Sequence, residues 1–386
     1  MSKLNKLIQE LCPNGVEYRK LGEVCELSRG KVYSKEFIRN NEGEYPLFSS
    51  QTANNGELGR ISSYDYEGEY LTWTTDGAYA GTIFHRIGKF SITNVCGIID
   101  VKNTNLNIRF LYFWLTIKAK DFVYSGMGNP KLMSNQMANI PIPLPPLPIQ
   151  EEIVKILDRF AEYTAELQAE LQARKEQYEY YRNLLLTNNF AYGSADDKQK
   201  ITGNAREEWK WMTLGEVCEI KRGKRLTTKD LSDNGKFPVY HGGIDPIGYY
   251  NTNNREANSA MVINVGASAG TVGFCEKKFW SSDGCFCFSH NEIINQKFLF
   301  YSLQTIEHSI KSKVRKAGIP TLDNKVLERL QIPIPPMEEQ QRIVSILDKF
   351  EALVSDLTQG LPAEIAASQE RYEYYRDKLL RFERCN

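Results

Sequence analysis

Arg29-Gly30-Lys31 and Arg222-Gly223-Lys224-Arg225 are the side chains in this sequence best suited by type and spacing to meet a polyanion. Cations two residues apart neutralise phosphates, and the glycine between them allows a close backbone approach. A second cationic set lies further along each half. It comprises Lys131, with Ser134 and Asn135, in Gly128-Asn129-Pro130-Lys131-Leu132-Met133-Ser134-Asn135, and the more basic Lys311, Lys313, Arg315 and Lys316. Gln51, Asn54, Asn55, Thr74, Thr75 and Asp76 in the first half, and His241 and Ser268 in the second, are of the kinds that pair with base edges. The same residue types also build turns, and charge clusters also serve as solvated faces.

Catalytic chemistry finds no comparable support. His85, His241, His290 and His308 stand in no Ser-His-Asp or His-Glu-x-x-His context. There is no Gly-x-x-x-x-Gly-Lys-Ser/Thr loop for phosphates, and Gly126-Met127-Gly128 is too little to make one. Asn129-Pro130-Lys131-Leu132 does not match the Asn/Asp-Pro-Pro-Tyr/Phe motif with which adenine methyltransferases hold a flipped base. Cys275, Cys285, Cys287 and His290 could supply four zinc ligands, but Cys-x-Cys lacks the usual knuckle spacing, and alternating Cys and Phe suits a buried strand. No catalytic residue, metal site or cofactor is expected.

The elements that would carry the polar residues follow from a tandem repeat. Leu21-Gly22-Glu23-Val24-Cys25-Glu26 recurs as Leu214-Gly215-Glu216-Val217-Cys218-Glu219, each followed by Arg-Gly-Lys. Gly77-Ala78-Tyr79-Ala80-Gly81-Thr82 answers Gly266-Ala267-Ser268-Ala269-Gly270-Thr271, and Arg109-Phe110-Leu111-Tyr112 answers Lys297-Phe298-Leu299-Phe300. Each copy closes on Ile-Pro-Ile-Pro, at Ile140–Pro143 and Ile332–Pro335, through which neither a helix nor a central strand can pass.

After each proline exit comes a helical pattern: Ile153, Ile156, Phe160, Tyr163 and Leu167, then Ile343, Ile346, Phe350, Leu353 and Leu357. The steps of three and four indicate a coiled-coil seam. Both regions later carry Tyr-Glu-Tyr-Tyr-Arg, at Tyr178–Arg182 and Tyr372–Arg376. A helix over about 150–186 would run roughly 55 Å and needs a partner along its length. Gly360-Leu361-Pro362 should divide the second region into two helices. Of the six tyrosines in the two motifs, more are present than one seam can bury, so either some face a partner or they pack within the helix pair.

The expected fold class is α/β: two tandem globular α/β domains separated by long antiparallel coiled-coil helices, with a pseudo-two-fold internal repeat. The segments are an amino-terminal helix over 1–15, a first domain over 16–148, a central helix over 149–190, a linker over 191–208, a second domain over 209–336 and distal helices over 337–386. One helix is expected in each domain, near Ile108–Lys118 and Asn295–His308, amid short β-favouring runs. The amino-terminal stripe of Leu4, Leu7, Ile8 and Leu11 is expected beside the carboxy-terminal helix.

Bulk composition narrows the class. A chain of 386 residues can bury two cores. No apolar run reaches the ~20 residues of a membrane span, and the amino terminus lacks a signal peptide's apolar core, so a cytoplasmic location is expected. Eight cysteines in so long a chain suit reduced, buried thiols. Formal net charge is zero, so any affinity for nucleic acid must be local. Residues 209–336 carry 17 Lys and Arg against 12 Asp and Glu, whereas 16–148 carry 14 against 13, so the second domain should bind phosphate more strongly.

Entrance, variable domain, Pro exit and long helix, repeated twice, resemble the specificity subunits of type I restriction-modification systems over nearly the whole chain. The helix openings Gln150-Glu151-Glu152-Ile153 and Gln340-Gln341-Arg342-Ile343 share in that likeness. The resemblance implies two target recognition domains, each reading one half of a bipartite sequence in double-stranded DNA. It further implies antiparallel helices docking two methyltransferase subunits, with separate motor-nuclease subunits joining for cleavage. The chain itself would be non-catalytic. The rival reading is a coiled-coil scaffold that binds only protein, which near-neutral charge permits and salt-sensitive duplex binding would exclude.

Overall fold

The structure is a computed structural model that describes residues 3–126, 128–187, 209–232, 234–355 and 360–385. The linker expected at 191–208 lies outside the described residues. Two compact units are formed, one from residues 1–166 with 365–386, the other from 167–364. Among the described residues no helix is long and apolar enough to cross a membrane.

In the first unit β1 (Tyr18–Lys20) enters the domain and leads into a helical turn, Leu21–Val24, whose Leu21 and Val24 are buried. The main sheet comprises β2 (Cys25–Arg29), β3 (Glu42–Phe48), β4 (Glu57–Ile61), β5 (Tyr66–Thr74), β6 (Ile83–Ile92) and β7 (Cys96–Val101), in the order β2-β7-β5-β6-β3-β4. All neighbours are antiparallel except β3 and β6. The sheet carries apolar side chains on two faces. Leu71, Trp73, Ile83 and Ile99 pack under the helix Ile108–Lys118, while Phe48, Phe90, Ile92 and Ile98 form a separate cluster. Trp73 lies so close across Gly97 that a Cβ there would stand 2.2 Å from the indole. The proline exit is β8 (Pro141–Pro143), paired antiparallel with β1, so entrance and exit meet. In a two-stranded ribbon each proline can turn its missing N–H outward, which is why this position tolerates them.

The helix Leu147–Thr187 starts within this unit. Its Ile149, Ile153 and Leu157 join the same core as Leu4 and Leu380, with Leu7, Ile8, Leu379 and Phe382 at the margin. The amino-terminal stripe therefore packs as expected except for Leu11, which is exposed. The chain's ends also meet through the backbone, where Val16 N–H donates to Glu383 O at 2.9 Å. Phe160 stacks on Tyr375, with ring centroids 5.4 Å apart, and Thr164 lies against Ser368, so these helix segments run antiparallel.

The second unit repeats the plan with a divided sheet. Its strands are β9 (Lys210–Thr213), β10 (Ile220–Arg222), β11 (Phe237–Tyr240), β12 (Gly248–Tyr250), β13 (Ser259–Ile263), β14 (Val272–Cys275), β15 (Trp280–Ser281), β16 (Cys285–Phe288) and β17 (Gln331–Ile334). They form a four-stranded sheet β10-β16-β13-β14, a three-stranded sheet β12-β11-β15 and the ribbon β17-β9. The unbroken ten-residue β6 of the first unit thus corresponds to β14 and β15, interrupted by Glu276-Lys277-Lys278-Phe279. Cys285 to Phe288 is a fully buried strand, as the alternating Cys and Phe suggest.

The expected helix near Asn295–His308 is Gln296–Thr305, followed by a separate Glu307–Ser312. Ile343 and Leu347 of the helix Met337–Ser355 share this core with Tyr178, Leu185 and Leu186 of the long helix. The next described helix, Leu361–Leu379, begins at the Gly-Leu-Pro break. Each core therefore recruits a domain, the start of the helix leaving it and the later part of the other helical region, a grouping finer than the segment boundaries read from sequence. Tyr178 is buried and Tyr181 stacks on Phe350, whereas Tyr180 and Tyr374 remain exposed.

Candidate nucleic-acid interface

In the first unit β2 ends at Arg29 and β5 runs out into Thr75 and Asp76, which brings four of the expected residues together. Arg29 Nη2 donates to Thr75 Oγ1 at 3.3 Å and to the carbonyl of Asn94, and lies 3.6 Å from Asp76 Oδ2. Thr75 Oγ1 in turn donates to Asp76 Oδ2 at 2.6 Å, and Lys131 Nζ stands 3.9 Å from Asp76 Oδ1. The arrangement is a half-exposed carboxylate between two cations.

Two loops clamp this cluster. Gly77 N–H donates to Pro130 O at 3.0 Å, Leu132 N–H donates to Thr75 O at 2.9 Å, and Tyr124 and Lys131 exchange a pair of backbone hydrogen bonds. Gly77 takes φ +96°, a conformation that explains the glycine. The second unit rebuilds the clamp: Gly266 (φ +89°) donates to Pro320 O at 3.0 Å, Leu322 N–H donates to Asn264 O at 2.8 Å, and Arg315 and Thr321 exchange the corresponding pair. Gly128-Asn129-Pro130-Lys131-Leu132 and Gly318-Ile319-Pro320-Thr321-Leu322 are therefore the same loop. This Gly-x-Pro-x-Leu repeat was present in the sequence and is the signal that would have paired the two loops.

The clamp aligns positions whose chemistry differs. Val265 stands where Asp76 does, Thr321 where Lys131 does, and Arg315 where Tyr124 does. Arg222 Nε donates to Asp283 O at 2.8 Å, but among the described residues no carboxylate pairs with it. Arg222 edges a cleft of about 380 Å³ with Asn264, Thr321 and Asn324. The buried Asn264 Oδ1 has no hydrogen-bond partner among the described residues. Lys224 and Arg225, which follow in the chain, are exposed.

The remaining expected residues divide by burial. Lys31 is exposed but paired with Asp65 at 2.6 Å, and Tyr33 donates to the same carboxylate. Burial pushes the Asp65 pKa up, but the bonds from Lys31 and Tyr33 outweigh that and hold it below the ordinary carboxylate value. Asn54 and Asn55 occupy an exposed turn at φ +49° and +52°, a conformation asparagine tolerates. Arg86 supports that turn, donating to Asn55 O at 2.8 Å while lying over the Phe48 ring. Burial pulls the Arg86 pKa down to about 10, so it stays charged at neutral pH. Gln51 is spent on the Glu57 carbonyl.

Thr74 and Thr75 are wholly buried and their hydroxyls are used internally, so they position neighbours and do not present themselves to a partner. Ser134 opens a short helix with Asn135 exposed. His241 lies 3.4 Å from Asp283. Ser268 is half-buried in the clamp loop. Lys311 pairs with Glu307, leaving Lys313, Arg315 and Lys316 as exposed cations without an ion pair among the described residues. Tyr79, Tyr124 and Ile319, exposed on the same loops, were not singled out from sequence.

The chain matches the type I restriction modification DNA specificity domain twice, over residues 13–198 and 206–367. A putative type I specificity subunit of Mycoplasma pneumoniae is 32% identical over 370 residues, covering 94% of this chain and 97% of its own length. The type I restriction enzyme MpnII specificity subunit of the same organism is 46% identical over 167 residues, 42% of this chain and 50% of that one. Among solved structures, the type I restriction-modification S subunit of M. genitalium superposes with TM-score 0.64 at 19% identity, covering 94% and 96% of the two chains.

Proposed function

Because this chain belongs to the type I restriction-modification DNA specificity family, as a non-catalytic specificity subunit, we propose that each of its units reads one half of a bipartite target in double-stranded DNA. The observation that carries this reading is the duplicated clamp: in each unit an arginine at a strand end, Arg29 or Arg222, stands beside a loop fixed by the same glycine-to-proline hydrogen bond. A rigid backbone that places one cation for phosphate and variable neighbours for bases is what sequence reading requires.

In this proposal Arg29, Lys131, Arg222, Lys224, Arg225, Lys313, Arg315 and Lys316 meet the phosphate backbone or base edges, and Asn54, Asn55, Asn135 and Ser268 lie within reach of the grooves. The helices dock two methyltransferase subunits, for which exposed Tyr180 and Tyr374 provide aromatic contact area. Motor-nuclease subunits join that assembly for cleavage, in the cytoplasm. The test is to co-express the chain with the methyltransferase subunit of its own system, map adenine methylation in the host genome and repeat with Arg222, Lys224 and Arg225 changed to Ala. A bipartite motif that is relaxed in one half supports the reading. A stable complex that methylates nothing would favour a protein-only scaffold.

A further inference from the structure

A carboxylate at a surface meant for phosphates is repelled by them, so Asp76 between Arg29 and Lys131 calls for a reason. Its Oδ2 is held by Thr75 and faces Arg29, while among the described residues Oδ1 has only Lys131, at 3.9 Å, which leaves acceptor capacity on the half-exposed side. In the second unit the clamp puts Val265 at the same place: Asp76 bridges to Lys131 as Val265 bridges to Thr321. Both positions follow the central strand, β5 or β13, and precede the glycine whose N–H donates to the proline carbonyl. The backbone is held alike in the two units while the side chain changes from acceptor to hydrocarbon.

We propose that residues 76 and 265 determine base choice in their respective half-sites. Asp76 accepts from a base that shows an amino group in the major groove, cytosine or adenine, and Val265 packs on the methyl group of thymine. In the major groove only cytosine N4 and adenine N6 offer donors, and only thymine offers a methyl group, so the two side chains select different bases from one geometry. Arg29 and Lys131 then have a second task, offsetting the repulsion between Asp76 and nearby phosphates. The inference rests on the reading of these units as DNA-binding.

The test co-expresses the full chain with its methyltransferase subunit, as wild type and as Asp76→Val, Asp76→Asn and Val265→Asp. Methylated motifs are read genome-wide, and melting of each purified complex reports folding. Asp76→Val should lose its preference for the amino-bearing base at one position of one half-site by about 5- to 100-fold, leaving the other half unchanged. Asp76→Asn keeps an acceptor and should retain most of that preference even if Asp76→Val fails to fold. Val265→Asp should shift one position of the opposite half-site from thymine towards cytosine or adenine. Folded variants that keep the wild-type motif, or that change affinity equally at every position, would overturn the proposal and leave Asp76 as a charge balance. Failure of the wild-type complex to methylate any bipartite motif would instead remove the functional reading beneath it.

Discussion

The buried side-chain amide of Gln150 donates to the carbonyl of Asn105 at 2.8 Å, while its oxygen accepts from the N–H of Asn107 two residues on. A third bond runs from the same amide to Pro145 O at 2.7 Å. Gln340 does the same in the second unit, joining Ile293, Asn295 and Pro335. One glutamine thus ties the proline exit, the start of the leaving helix and the capping asparagine of the domain helix into a single joint.

Replacing Gln150 by Leu should cost about 3 kcal/mol, because three backbone groups lose the partner that the wholly buried Gln150 supplies, at roughly 1 kcal/mol each. For a unit of this size that is a fall in melting temperature of roughly 6–12 °C. Gln340→Leu should act alike. Calorimetry on both variants checks the equivalence, and a fall under about 2 °C for either would show that the joint is not structural.

Gly97→Ala should destabilise the first unit by about 1–3 kcal/mol or more, because the added Cβ would lie 2.2 Å from the Trp73 ring and Trp73 is itself fixed by its bond to Leu132 O. A conservative Trp73→Phe in the same background should recover part of the loss. Urea denaturation of the single and double variants decides the matter, and additive losses would contradict the close approach of ring and backbone.

Removing Arg222, Lys224 and Arg225 together should weaken duplex binding while lowering melting little, since all three are exposed and the Arg222 bond to Asp283 O lies at the surface. The slope of log K against log salt should become shallower by about 0.9 for each phosphate that the variant no longer neutralises. Binding titrated between low and moderate salt supplies the slope, and an unchanged slope would take these cations out of the interface.

The parts of the fold that the sequence disclosed are those governed by local rules. The prolines of the exits and the apolar period of the helices each act within a few residues, and the structure places them as their chemistry predicts. What stayed hidden depends on partners far along the chain. Nothing near Thr75 reveals that its side chain is wholly enclosed, and nothing near Lys31 reveals Asp65, more than thirty residues on. The same limit applies to the interface: residue types pointed to Arg29, Asp76 and Lys131 separately, but only the sheet order brings them together.

Asp65 should make the first unit acid-sensitive. Its folded pKa lies below the ordinary value of about 3.9 for an unfolded aspartate, so its contribution is present above that pH and is lost as pH falls through the folded value. Asp65→Asn should therefore be less stable than wild type at neutral pH, and the gap should close as pH falls below the ordinary aspartate value and through the lower folded one. Equilibrium unfolding at several pH values measures the difference, and a gap that widens on acidification would reverse the sign.

Thr164 and Ser368 offer a test of how the antiparallel helix segments of the first unit are matched. Their hydroxyls lie 2.9 Å apart and both are buried, and Thr164 Oγ1 also donates to Phe160 O of its own helix. Thr164→Val keeps the shape and strands the Ser368 hydroxyl, so it should cost about 1–2 kcal/mol, whereas Ser368→Ala should cost less, because Thr164 keeps its bond to Phe160 O. With both changed no polar group is left without a partner, so the double variant should be more stable than the sum of the single losses predicts, with a coupling of about 1 kcal/mol. A double-mutant cycle by chemical denaturation measures that coupling. A value of zero would mean that the two hydroxyls are solvated independently and that the apolar seam alone, with Phe160 on Tyr375, sets the helix register.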